Sequence, residues 1–112
     1  MAERPVLDLL AKMTEDSVEV SSLDAQTLVL ARIAALVAVD APSASYLLNL
    51  GVGSKLGVDG QMVRGVLAAV APIVGTPRVV AAAANILTAL GLAIEVADLE
   101  DEVEAEEAAD EE

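Results

Sequence analysis

Apolar residues recur along most of this chain at spacings of three and four, the repeat of a helix with one buried side. In "ERPVLDLLAKM", Val6, Leu9, Leu10 and Met13 share one stripe, and Pro5 suits a first helical position. The polar and β-branched run "TEDSVEVSS" is expected to break this helix. A second helix is expected from Asp24, a good N-cap, with Leu23 and Leu28 placed as a hydrophobic staple. Between Leu28 and Val39 only Arg32 is polar, and a helix apolar nearly all round is usually buried. Arg32 is then expected to reach a carboxylate or a helix C-terminus rather than lie bare in the core.

A third helix is expected in "DAPSASYLLNLGVGSKLG", capped by Asp40 or Ala41 with Pro42 in its first turn. Gly51 and Gly53 weaken it by about 1 kcal/mol each against Ala, which makes sense where another backbone packs closely. Gly57 fits its C-terminal stop. Asp59 caps a fourth helix, with Val58 and Val63 as its staple. That helix carries an apolar stripe of Met62, Val63, Val66, Leu67, Val70 and Val74, and Pro72 is expected to kink or end it early. "GTPR" reads as a restart: Gly75 stops, Thr76 caps and Pro77 opens the last helix. Its expected buried side is Val79, Val80, Ala83, Ile86, Leu87, Leu90 and Ile94. The opposite side, Ala81, Ala84, Asn85, Thr88 and Gly91, is small enough to take a second helix at short distance. No stretch sustains strand-like alternation, so the expected fold is all-α, a small helical bundle of about five helices. Residues 79–94 are very apolar, but they fall short of the roughly 20 residues a membrane span needs. They also contain Asn85 and Thr88 and lack an aromatic belt, so no membrane span is expected.

Composition adds a limit. The 112 residues suffice for one small domain. Hydrophobic residues make up 55%, yet Tyr46 is the single aromatic, so the apolar mass is Ala, Val, Leu and Ile. With a mean hydropathy of +0.60 on so short a chain, closely packed helices with some faces closed by another subunit are expected, hence a homo-oligomer. The chain has no Cys and no His. Disulfides, thiol redox chemistry, Cys/His zinc sites and imidazole acid–base catalysis are thereby excluded, and no metal or cofactor is expected. The N-terminal stretch has no apolar signal core, which points to a cytoplasmic protein.

Charge divides the chain in two. Residues 95–112 carry eleven acids and no base, whereas residues 1–94 carry eight acids and six bases. The expected organisation is a helical domain over 1–94 and an acidic tail over 95–112, disordered or a frayed helix. Such a tail opposes binding to nucleic acid or anionic lipid. It is either a solubilising segment or a contact for a basic protein partner.

The order of these landmarks resembles the carboxymuconolactone decarboxylase family, which includes the alkylhydroperoxidase D-like proteins. The carrying stretches are "LDAQTLVLARIAALVAVDAPSASYLLNLGVGSKLGVDGQMVRGVL" and "APIVGTPRVVAAAANIL", within residues 23–92. The resemblance implies the family's helical fold and a homo-oligomer, a trimer or a hexamer. Redox-active members carry a Cys-x-x-Cys-x-x-x-His run ahead of the glycine turn that matches Gly57. On that alignment the cysteine positions hold Pro42 and Ser45, the histidine position holds Asn49, and a proton-relay glutamate position falls near Leu30. Every one of these departs from the pattern. Without a thiolate and a resolving thiol, the peroxidase (peroxiredoxin-type) activity of the family is not expected here.

The remaining candidates each have a plain alternative. Ser45 and Asn49, at i and i+4, share a helix face and could line a small-molecule pocket, or could simply bond to neighbouring helices. Tyr46 is a weak candidate for a catalytic phenol against core packing, and Asp40 for a general base against a helix cap. Arg64, with Lys55 and Arg78, could hold an anionic substrate or could pair with surface charges. Three functions remain open: a non-redox family member with a binding or structural role, a lactone decarboxylase- or isomerase-like enzyme on small anionic substrates, and an oligomeric scaffold using its acidic tail.

Overall fold

The computed structural model describes residues 4–110, and for 92–100 and 109–110 the backbone alone. Five helices follow in order: α1 (Pro5–Val20), α2 (Ala25–Ala38), α3 (Ser43–Lys55), α4 (Gly60–Val74) and α5 (Thr76–Asp110). No strand occurs among the described residues.

Local chemistry sets most of the boundaries. Asp24 caps α2: its carboxylate accepts the Thr27 amide at 2.8 Å and the Thr27 hydroxyl at 3.0 Å. Those bonds, the Thr27 amide first, hold its pKa below the ordinary value. Asp59 caps α4 in the same way, accepting the Met62 amide at 2.9 Å. Gly57, at φ 84°, ends α3. The Val58 amide reaches back to the Gly53 carbonyl at 2.9 Å and the Gly57 amide to Ser54 at 3.3 Å, a Schellman pair.

The end of α2 uses the same geometry with a different residue. Ala41 donates to Leu36 at 3.0 Å and Asp40 to Val37 at 3.2 Å, with Asp40 left-handed at φ 55°. Asp40 therefore ends α2 and does not cap α3. Pro42 occupies the N-cap of α3 with no side-chain cap bond. Other boundaries also differ from expectation. α1 continues through the polar run to Val20, because nothing in that run removes a backbone donor. Pro72 lies inside α4, which runs on to Val74. Thr76 is already helical, and the Val79 amide donates to Gly75, at φ 87°, so Gly75 alone marks the junction. α5 does not stop near Ile94 but continues through the acidic stretch to Asp110.

The core lies where α2 meets α3, α4 and α5. α2 contributes Val29, Ile33 and Val37, one stripe at i, i+4 and i+8. Tyr46 enters from α3, Val63 from α4, and Ala82, Ile86 and Ala89 from α5. The stripe expected on α4 packs here, with Val66, Leu67, Val70 and Val74 partly buried against the cluster.

α5 turns inward a side that overlaps the expected one at Ile86, which is buried, but is rotated away from the larger residues beside it. Val80 and Leu87 are strongly exposed and Leu90 is also exposed, while Ala82 and Ala89 are buried. The small side chains let α5 approach α3 closely, and polar bonds fix the approach. The Ser43 hydroxyl donates to Asn85 Oδ1 at 2.9 Å, and Asn85 Nδ2 donates to the Ala41 carbonyl at 3.4 Å. Larger side chains on that face would hold the helices apart and break both bonds. Ile94 lies outside the residues whose side chains are described.

The molecule is long for its size. Its radius of gyration is 16.8 Å, against about 13 Å for a compact chain of this length. The cause is the 35-residue α5, about 52 Å long at 1.5 Å per residue.

The two glycines of α3 stand in opposite situations. A Cβ on Gly53 would lie 3.1 Å from Val29 Cγ1 and 3.2 Å from Val58 Cβ, whereas one on Gly51 would meet nothing within 4 Å. Gly51→Ala is expected to stabilise the fold by about 0.5–1 kcal/mol through helix propensity. Gly53→Ala should destabilise it by about 1–3 kcal/mol through overpacking. Urea unfolding of the pair checks this, and equal shifts in one direction would refute the close contact.

Candidate binding groove

Between α1 and the body of the bundle runs an open groove of about 500 Å³. α1 supplies Leu10, Met13, Thr14 and Ser17; α2 supplies Arg32, Ala35 and Leu36. Leu48, Asn49 and Val52 of α3 form the remaining wall. The lining is mainly apolar, and its one charged group is the guanidinium of Arg32.

Arg32 is half-buried, and Nη2 donates to the Thr14 carbonyl at 3.3 Å and the Ser17 hydroxyl at 3.1 Å. It thereby ties α1 to α2. No carboxylate lies within 4 Å of it among the described residues, where the ion pair made is Lys12–Asp16 at 3.4 Å. The expected partner, a carboxylate or a helix end, is replaced by a mid-helix carbonyl and a hydroxyl.

Asn49 reaches the groove, but Ser45 does not join it. Asn49 Nδ2 donates at 2.9 Å to the Ser45 carbonyl one turn earlier. The shared face is real, yet its hydrogen bond runs along the helix backbone rather than between two pocket side chains. Tyr46 points away from the groove into the core. It is fully buried, and its hydroxyl has no hydrogen-bond partner among the described residues. Burial, and then the nearby Asp40 carboxylate, raise its pKa above the ordinary 10.0. It is a protonated core residue out of reach of the groove.

Asp40 is an exposed helix-end residue. Arg64 lies exposed on α4, its Nε donating to the Gly60 carbonyl at 3.4 Å. Lys55 and Arg78, at the last turn of α3 and the first turn of α5, do not line the groove either. Pro42 and Leu30 are likewise absent from its lining. Arg32 is the functional candidate that residue chemistry alone passed over. Its signal was its position, the single polar side chain between Leu28 and Val39.

The described residues contain no cluster of His, Cys, Asp and Glu that could hold a metal ion. Among them no helix is long and apolar enough to cross a membrane. No protein-family model, curated protein or solved structure matches the chain.

Tyr46 makes a direct test of the core. Its folded-state pKa lies above the unfolded value, so its contribution to stability is complete below pH 10.0 and is lost as pH rises through the folded pKa. Tyr46→Phe removes an unbonded buried hydroxyl. It is expected to leave stability unchanged or raise it by about 1 kcal/mol at pH 7, and to blunt the alkaline loss. Denaturant titrations at pH 7 and above pH 10 provide the check. A Phe variant clearly weaker at pH 7 would show that the hydroxyl is bonded in solution.

Proposed function

We propose that this chain is a divergent member of the carboxymuconolactone decarboxylase-like fold that binds a small amphipathic anion and performs no thiol chemistry. The observation that carries the reading is Arg32, a cation with no carboxylate partner among the described residues, on the wall of an apolar groove. The groove volume falls in the range of small-molecule sites. Leu36, Leu48 and Val52 offer an apolar bed. The N–H groups of Arg32 not engaged with α1 suit a carboxylate, which guanidinium binds with charge-assisted bonds. The amide oxygen of Asn49, which takes no hydrogen bond from the described residues, can orient a donor on the ligand.

Binding is favoured over a decarboxylase- or isomerase-like reaction on similar anions. Such a reaction needs a group that takes or gives a proton beside the substrate. The groove lining contains no Asp, Glu, Lys or Tyr, and Arg32 stays charged. The family reading is supported by the all-helical bundle and the glycine turns at Gly57 and Gly75. A homo-oligomer, a trimer or hexamer by the family resemblance, is supported by the exposure of Ile73, Val80 and Leu87.

Thermal unfolding with octanoate, octanol and octylamine tests the site. Octanoate should raise Tm, as a ligand binding only the folded state must, while the other two should not. Arg32→Gln should abolish the shift. Ser17→Ala, which removes one partner of Arg32 but keeps the charge, should preserve it. Equal shifts from octanol and octanoate would rule out Arg32 as the recognition group. Hydroperoxide reduction with a dithiol donor should remain at the uncatalysed rate, and clear turnover would disprove the exclusion of thiol chemistry.

A further inference from the structure

The packed body consists of α2 against α3, α4 and α5, with α5 also against α3 and α4. α1 belongs to none of these pairs, and none of its residues is buried. Among the described residues, the side-chain bonds that join it to the body are the two from Arg32 Nη2, to the Thr14 carbonyl at 3.3 Å and the Ser17 hydroxyl at 3.1 Å. Its other polar contacts stay within the helix: the Thr14 hydroxyl donates to the Leu10 carbonyl at 2.9 Å, and Lys12 pairs with Asp16. One side chain of α2 thus ties down a 16-residue helix, a length that is marginal in water without a packed apolar face.

The joint between α1 and α2 can bend without cost to the body. Residues 21–24 are not helical, and Ser21 and Asp24 are both extended. The Asp24 carboxylate holds the first turn of α2 through the Thr27 amide, so a swing about 21–24 leaves α2 wound. The groove lies under α1. Leu10 and Met13, 51% and 57% exposed, form its α1 side, opposite Leu48 and Val52. An apolar tail placed there gives Leu10 and Met13 neighbours that the body does not supply. Its carboxylate takes the Arg32 N–H groups not engaged with α1 and fixes the guanidinium that holds Thr14 and Ser17. One ligand thereby strengthens both attachments of α1.

We infer that α1 is a hinged flap over the groove, latched by Arg32 and swinging about residues 21–24, that opens to admit the small anion and closes on it. The closing step rests on the anion reading above; the latch and the hinge do not. Segments that gate a site come from the least stable part of a fold, which here is α1. The coupling is reciprocal: a ligand that binds the closed form protects α1, and a change that frees α1 weakens binding.

Hydrogen–deuterium exchange of the full chain tests both parts. Without ligand, the hydrogen-bonded amides of α1, residues 8–20, should exchange at least tenfold faster than core amides around Val63 and Ile86, because opening the flap leaves the core intact. Arg32→Gln keeps the helix propensity of α2, and should speed α1 exchange by a further factor of about ten with the core amides unchanged. Ser17→Ala separates the latch from the helicity of α1 itself. Ala is the better helix former, so an unlatched α1 would exchange more slowly in this variant, whereas loss of a latch bond makes it exchange faster. Octanoate should slow α1 exchange in the unsubstituted chain and not in Arg32→Gln. Unchanged α1 exchange in Arg32→Gln, slower exchange in Ser17→Ala, or α1 opening only together with the core would each overturn the flap. Octanoate that raises Tm without slowing α1 exchange would overturn its closing. Octanoate that does neither would sink the anion reading and the closing step with it, and the ligand-free measurements would still decide the latch and the hinge.

Discussion

Val29, Ile33 and Val37 form the stripe onto which α3, α4 and α5 close. All three are β-branched and hold their χ1 angles in a helix with little freedom to lose. A core built almost without aromatic side chains has little volume in any one residue, so it must gain cohesion from closeness. The approach of Gly53 to Val29, and of the α5 alanines to the cluster, follows from that requirement. Each close contact depends on a residue with little or no side chain, and on the stripe that receives it.

Helix ends were legible in the sequence where the chemistry is local. Asp24, Asp59 and Gly57 act within three or four residues, and their identities are enough to place them. Asp40 was harder, because a short acid can cap the helix that follows or close the helix that precedes. The choice is decided by the left-handed backbone at that residue, and Pro42 takes the cap position instead. The inward side of α5 was legible only at Ile86. Val80 and Leu87 are more apolar than Ala82 and Ala89, so a hydrophobicity pattern favours them, whereas the Ser43–Asn85 bond and the fit against α3 favour the smaller face. Such a preference belongs to two helices jointly and cannot be read from either.

The groove shows the same division. Asn49 was legible through its place in the chain and does reach the groove, but Ser45 and Tyr46 turn elsewhere. Arg32 was visible as an oddity, a charge in an apolar run, while its value depends on α1 lying across it. The wall that creates the groove is the helix least attached to the fold. Any site there is therefore more sensitive to the docking of α1 than to the stability of the core.

Tyr46 has one more consequence. With a single tyrosine and no tryptophan, the near-ultraviolet absorbance and intrinsic fluorescence of the whole protein originate at one ring, fully enclosed where α3 meets α2. Optical signals from most proteins blend many environments. Here the chromophore reports on a single point at the centre of the bundle, and is nearly blind to α1 and to the acidic half of α5. Events at the periphery will pass without colour, and any change in the spectrum is a change in the core.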